Sequence, residues 1–350
     1  MDTPDRERYS RQILYRPIGE AGQAKLLAAR AAIVGCGALG TQQAALLARA
    51  GVGELRIIDR DYVESSNLQR QTLFTESDAA QALPKAVAAE AHLKQANSRI
   101  RVCGIVADLT PENAAALLGG INVILDGTDN FETRYLINDY AVKEKIPWVY
   151  GAAVGSTGAT MTIVPGSPLP SEASAQETPC LACLFPEPPS GLHPTCDTEG
   201  ILGSAASAVA SIQVAEALKL LVGDTKALHR KLISFDLWEN RFQAIDPGAP
   251  SDDCPVCRRR EFAHLSGDRA VQITLCGRNS VQIHERRRPI DFAELASKLT
   301  PLGTVRSNPF VMQFSVAPYE LTIFPDGRAI IKGTTDPGLA RSLYARYIGS

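Results

Sequence analysis

Residues 31–59 read AAIVGCGALGTQQAALLARAGVGELRIID, and the order of residue types in that stretch decides the fold. Ala31–Val34 is a short apolar run of strand length, which breaks into a turn with Gly35, Gly37 and Gly40. A helical pattern over Thr41–Ala50 follows, and a second strand, ELRIID, ends at Asp59. Glycines in such a turn let backbone N–H groups at a helix N-terminus approach a phosphate, where the helix dipole favours negative charge. The carboxylate about twenty positions further on suits a ribose hydroxyl. The turn alone is equally compatible with a nicotinamide or flavin dehydrogenase.

Working outward, residues 11–29 carry apolar positions at helical spacing. RIRVCGIVA (99–107) and INVILDG (121–127) fit further strands, separated by an Ala/Leu-rich helix after the helix-start signal TPEN at 110–113. Strands alternating with helices predict a doubly wound, mostly parallel α/β sheet of Rossmann-like kind. From Trp148 to Val164 the pattern turns to short strands with glycines, and 165–200, rich in Pro, Ser and Gly, is expected to be a long mobile loop of functional importance. Leu202–Val222 reads as a buried helix and KLISFDL (231–237) as a strand. After Cys257 comes RRR and then short strands with two helices, including the hairpin TIFPDGRAII with its Asp-Gly turn. The expected domains are 1–257 and a small C-terminal α+β domain, 258–350.

The chain has 350 residues, 45% hydrophobic and 21% charged, with a net charge of −2. That composition argues against disorder and gives no bulk attraction to nucleic acid or to an anionic membrane. The N-terminus MDTPDRERYSRQ is charged, and no stretch reads as apolar enough to span a bilayer, so the expected location is cytoplasmic. Four of the eight cysteines form two CxxC pairs, Cys180/Cys183 and Cys254/Cys257, about seventy residues apart. That pattern predicts a closed tetrahedral Zn²⁺ site of structural kind, with no open position for catalysis.

The segment after Asp59 separates the candidate chemistries. Residues 59–75 read DRDYVESSNLQRQTLFT, followed by Pro84-Lys85 and by DGTDN at Asp126–Asn130. Together with RYSRQ at Arg8–Gln12, GCGALG and both CxxC pairs, in that order, the sequence resembles the HesA/MoeB/ThiF family of bacterial adenylyltransferases, ancestral to the ubiquitin-activating enzymes. The resemblance covers about residues 6–257, whereas a dehydrogenase shares only the glycine turn. It implies ATP-dependent adenylylation of the C-terminal Gly-Gly carboxylate of a small ubiquitin-like sulfur-carrier protein. A sulfur donor such as a cysteine desulfurase would then convert the acyl-adenylate to a thiocarboxylate.

The residues suit that reaction. A carboxylate attacking the α-phosphorus of ATP approaches a polyanion, so cations and Mg²⁺ are required. Arg70 offers fork-shaped contacts to phosphate and Lys85 a compact point charge. Asp129 suits a hard metal ion, and by resemblance it holds Mg²⁺, Asp59 the ribose and Asn67 the phosphates. The resemblance also implies that Arg11 enters the active site of a neighbouring subunit, making the working unit a homodimer. Asp126 reads as a strand-end turn residue, and Asp61 stays open between structure and catalysis.

Cys196, in PTCDTEGILG, is the candidate nucleophile implied by the resemblance, although Asp197 and Glu199 beside it would raise its pKa. Cys276, in LCGRNS, reads as a turn cysteine, because the spacing after it does not match a rhodanese persulfide loop. Cys36 and Cys103 read as ordinary small buried residues. Thiamine thiazole synthesis is the expected pathway, because the chain extends beyond the second CxxC as some thiazole-pathway members do, with molybdopterin synthesis as the alternative. A nicotinamide-dependent oxidoreductase would leave NLQRQ, Lys85 and Asp129 unexplained, and a non-catalytic scaffold would be expected to have lost one or more of Arg11, Arg70, Lys85 and Asp129.

Overall fold

The computed structural model describes residues 1–166, 177–186, 199–267, 275–276, 280–283 and 289–349. The contacts divide the chain into two compact units, Met1–Ala79 with Lys85–Arg269, and Ala80–Pro84 with Ala270–Ser350. Residues just beyond Cys257 side with the first unit for a physical reason: the Arg260 guanidinium donates to the carbonyls of Val142 (2.9 Å) and Lys143 (3.1 Å) at a helix C-terminus. The unpaired carbonyls there favour a cation. Residues 80–84 side with the second unit, where Asn308 Nδ2 donates to the carbonyls of Gln81 and Ala82, both at 3.1 Å.

The first unit is built on an eight-stranded sheet. Its strands are β1 (Arg30–Val34), β2 (Glu54–Asp59), β3 (Arg101–Val106), β4 (Val123–Asp126), β5 (Trp148–Val154), β6 (Thr157–Ile163), β7 (Leu232–Asp236) and β8 (Arg241–Ile245), in the spatial order β3-β2-β1-β4-β5-β6-β7-β8. Only the first five run parallel; β6, β7 and β8 are added antiparallel. The sheet is thus mostly parallel, as expected, with an antiparallel edge: β5–β6 and β7–β8 follow each other closely in the chain as hairpins, while the helix Gly203–Val222 lies between β6 and β7. β1, with four of its five residues buried, lies at the point where the strand order reverses, and it stays paired with β4 to the ends of both strands, Val34 opposite Asp126.

The helix after the glycine turn spans Ala38–Ala50, three residues earlier than predicted, so Gly37 is its N-cap and Gly40 lies inside its first turn. The helix Gly203–Val222 is, by length and composition alone, apolar enough to cross a membrane, contrary to the sequence expectation. Its apolarity has a packing explanation: Ala205, Ala206, Val209 and Ala210 are buried in one cluster with Leu39 of the helix Ala38–Ala50 and Phe235 of β7. Much of the predicted loop 165–200 lies outside the described residues. In the part that is described, Thr178 N donates to Val164 O at the end of β6, and Leu181–Leu184 forms a single helical turn.

The second unit is an antiparallel sheet of six strands: β9 (Leu275–Cys276), β10 (Ser280–Ile283), β11 (Thr304–Ser307), β12 (Met312–Val316), β13 (Tyr319–Ile323) and β14 (Ala329–Lys332), ordered β11-β12-β13-β14-β10-β9. Helices Phe292–Leu299 and Pro337–Tyr347 bury Leu295, Leu299, Leu343 and Tyr344 against Phe314, Leu321 and Ile331 on one face. Both helices are N-capped by aspartate, Asp291 and Asp336. Cys276, expected in a turn, instead ends strand β9, paired with Ser280.

Candidate active site

The glycine turn divides its labour. Gly35 has φ +89, and a Cβ there would lie 2.5 Å from Gly127 O, while one on Gly40 would lie 1.9 Å from Gly35 O. These two glycines permit close packing of turn, helix and β4. A Cβ on Gly37 would meet only Gln71 Nε2, at 3.9 Å, so Gly37 is the one that faces open space. The helix it starts has no side-chain cap, leaving the first-turn N–H groups for a ligand. Cys36, wholly buried between these glycines, has its thiol pushed well above the ordinary range by burial and by the Asp59 charge, and is therefore inert.

At the end of β2, Asp59 Oδ2 accepts from Cys36 N (2.6 Å) and Oδ1 from Asp61 N (2.7 Å). The loop Asp59–Asp61 thus folds back on the glycine turn. Burial raises the Asp59 carboxyl to about 6; Lys85 opposes that rise and Asp61 adds to it. Lys85 opens the helix Lys85–Ala96, its backbone N–H donating to Asp61 O at 2.8 Å and its ammonium to Asp61 Oδ2 at 3.0 Å. Burial would depress the lysine, but Asp61, Asp59 and Asp129 together outweigh it and hold the ammonium above its ordinary value. Asp61, left open by sequence, is thereby the direct holder of Lys85.

DGTDN separates into structural and available groups. Asp126 is fully buried, accepting from Thr128 N (2.9 Å), Thr128 Oγ1 (2.7 Å) and Arg134 Nε (3.0 Å). Arg134 in turn donates to Thr128 O and Gly151 O and lies over the rings of Phe131 and Tyr150. Asn130 Oδ1 caps the helix Phe131–Glu144 by accepting from Thr133 N at 2.9 Å. Asp129 is exposed, receiving only a long contact of 3.3 Å from Asn130 Nδ2. It is the carboxylate of this segment left to hold a hard cation, close enough to Lys85 to act on its charge. Arg134, and the buried Gln43 and Gln213 that both donate to Asp126 O at 2.9 Å, had no signal in the sequence beyond ordinary helical positions.

In NLQRQ, Asn67 closes a capping box with Glu64: its Oδ1 accepts from Glu64 N at 3.0 Å. Its Nδ2 is buried without a partner, as is Oε1 of Gln71. Such orphaned groups fit a site completed by a polar ligand such as a nucleotide. Arg70 is half-buried; one nitrogen donates to Ser66 O (2.9 Å), and its backbone packs at 3.6 Å from where a Cβ on Gly203 would stand. Arg11 is exposed on the short helix Ser10–Ile13 and makes no hydrogen bond or ion pair with Asp59, Lys85 or Asp129 among the described residues. Cys196 lies outside the described residues.

The four cysteines of the two CxxC pairs converge in one place. Cys180 Sγ lies 3.8 Å from Cys183 Sγ and 3.6 Å from Cys254 Sγ, and Cys183 Sγ lies 3.5 Å from Cys257 Sγ. A tetrahedral zinc with bonds of about 2.3 Å has sulfur–sulfur edges of about 3.8 Å, so the donor set fits a Cys₄ zinc site. Asn138 Oδ1 accepts from Leu181 N at 2.9 Å, and His264 stacks on Tyr135 at 4.9 Å, anchoring both sides of the cluster to one helix.

The chain is similar to proteins already known. The family model for the ThiF family matches residues 9–256. Sulfur carrier protein ThiS adenylyltransferase of Bacillus subtilis (strain 168) is 47% identical over 346 residues, covering 98% of this chain and 99% of that protein. Sulfur carrier protein adenylyltransferase of Thermus thermophilus is 38% identical over 252 residues, 72% of this chain and 90% of that protein. Among solved structures, E. coli MccB with succinimide superimposes with a TM-score of 0.60 at 25% identity, over 71% of this chain and 74% of that one.

Proposed function

The chain belongs to the ThiF family and is an adenylyltransferase, and from that premise we propose that it joins the C-terminal Gly-Gly carboxylate of a small ubiquitin-like sulfur carrier to AMP in thiamine thiazole biosynthesis. The observation that carries the chemistry is the buried Lys85 ammonium, kept charged by Asp59, Asp61 and Asp129 beside an open Gly37 turn. A dehydrogenase has no use for a fixed cation there; transfer of a nucleotidyl group does. The pathway rests on the breadth of the Bacillus subtilis match, which extends across the C-terminal unit as well, whereas the Thermus thermophilus match does not.

In this reading Asp59 accepts a ribose hydroxyl, and the N–H groups at Gly37, with Asn67 Nδ2, hold the phosphates. A carboxylate oxygen of the carrier bonds to the α-phosphorus, and the bond from that phosphorus to the oxygen bridging it to the β-phosphate breaks. Pyrophosphate leaves with its electron pair. Lys85 and Arg70 offset the charge that builds on the non-bridging and departing oxygens. Mg²⁺ held by Asp129 would supply further charge stabilisation at the phosphates. Arg11, exposed and without a hydrogen bond to Asp59, Lys85 or Asp129 among the described residues, serves a neighbouring subunit in a homodimer. The Cys₄ cluster holds zinc and ties the chain after β6 to the chain after β8. Sulfur arrives afterwards from a separate donor, with Cys196 as the covalent relay.

ATP–pyrophosphate exchange tests the reading, with Mg²⁺ and the Gly-Gly-ending carriers of the thiazole and molybdopterin pathways offered in turn. Exchange is expected with the thiazole carrier and is expected to vanish in Asp129→Ala. Exchange with neither carrier, despite bound ATP, would overturn it.

A further inference from the structure

We infer that Gln71 is a further nucleotide-holding residue of this site, its buried side-chain amide donating to a phosphate oxygen of ATP that lies over Gly37. The inference rests on the adenylyltransferase reading and deepens it. The backbone of Gln71 is fixed on both sides: its N–H donates to Asn67 O at 2.9 Å, and its carbonyl accepts from Phe74 N at 3.1 Å. The residue is 3% exposed. Yet Oε1 is buried without a partner, and Nε2 makes no hydrogen bond among the described residues. Oε1 is an acceptor and calls for a donor of its own, whereas Nε2 is the group free to donate to an anionic oxygen; leucine or methionine would fill the same space without leaving either unpaired.

The amide's position says what it awaits. Gln71 Nε2 lies 3.9 Å from where a Cβ on Gly37 would stand, and apart from Gly37 and its chain neighbours no other atom lies within 4 Å of that point. On the other side of the same space begins the 13-residue helix Ala38–Ala50, whose N-cap is Gly37 and which lacks a side-chain cap. An anionic oxygen there meets helix N–H groups from one side and the glutamine amide from the other. The orphaned Nδ2 of Asn67, four residues earlier, is a second donor of the same kind in the same segment. Unlike Lys85 and Arg70, Gln71 brings no net charge, so its work is to orient the phosphate rather than to offset the charge of the transition state.

The test compares full-length wild type with Gln71→Met, which keeps length and burial but loses the donor, and Gln71→Glu, which sets a negative charge against the phosphate. ATP affinity is measured by calorimetry without carrier, KM for ATP and kcat in pyrophosphate exchange, and thermal unfolding on the ligand-free proteins. Gln71→Met is expected to weaken ATP binding and raise KM roughly 10-fold, with kcat within about 3-fold of wild type. Gln71→Glu is expected to weaken binding roughly 100-fold. Ligand-free Gln71→Met should unfold no earlier than wild type, because the unsatisfied amide is gone. Wild-type ATP affinity in both variants would overturn the inference. Because binding is read without carrier, a failure of exchange with every carrier refutes the proposed reaction and leaves the Gln71 result to be judged on its own.

Discussion

Replacing Cys254 by serine removes one of four sulfurs from a cluster that joins two segments 74 residues apart. Closing a loop of that length removes about 15 cal/mol/K of chain entropy from the unfolded state, or about 4 kcal/mol at 25 °C. The same clip holds Leu181 to Asn138 and the Arg258–Leu265 stretch to the helix Phe131–Glu144, so the loop term is a floor. For a unit of this size about 4 kcal/mol corresponds to a melting temperature lower by roughly 10 °C. The assay pairs metal analysis of the purified protein with calorimetric unfolding of wild type, Cys254→Ser, and wild type treated with a strong chelator. Wild type is expected to carry one zinc per chain, and both perturbations to lower the transition of the first unit by a similar amount. Full-length protein that holds no metal, or that loses its metal with no change in unfolding, would refute the argument from sulfur geometry.

Gly40 and Gly37, two glycines of one motif, should behave differently. Gly40→Ala drives a Cβ to 1.9 Å from the Gly35 carbonyl oxygen and is expected to prevent stable folding, read as loss of soluble expression. Gly37→Ala meets nothing closer than 3.9 Å and is expected to fold normally while weakening ATP binding at least roughly 10-fold, measured by calorimetry. Asp59, raised to about 6 chiefly by burial, should show itself twice. ATP affinity is expected to fall as pH drops through about 6 and the carboxylate takes up a proton, an inflection that Asp59→Asn removes. Conversely, the ligand-free fold bears a cost of about 3 kcal/mol from this ionised carboxylate above about pH 6, relieved as pH falls toward the ordinary aspartate value. Denaturant unfolding at pH 5 and pH 7.5 should therefore show wild type losing more stability with rising pH than Asp59→Asn does.

Much of this protein is carried by local sequence. The strand–turn–helix unit, the alternation to residue 127 and, in the tail, short strands with the TIFPDGRAII hairpin and two helices follow from apolar spacing and turn residues, because those preferences act over a few neighbours; the six-strand order of that tail does not. The CxxC pairs announced their convergence, since four thiols at that spacing have few other uses. What only the tertiary structure decided are matters of which group faces which. Sequence treats Gly35, Gly37 and Gly40 alike, yet two are closed by a neighbouring carbonyl and one is open. DGTDN offers two aspartates, and a buried arginine eight residues later takes the first and leaves the second exposed. Asp61 gained its part by meeting Lys85 across 24 residues, and Gln71 by a side-chain amide without a hydrogen bond among the described residues. Such assignments depend on burial and on the absence of competing partners, and these exist only once distant segments are packed together.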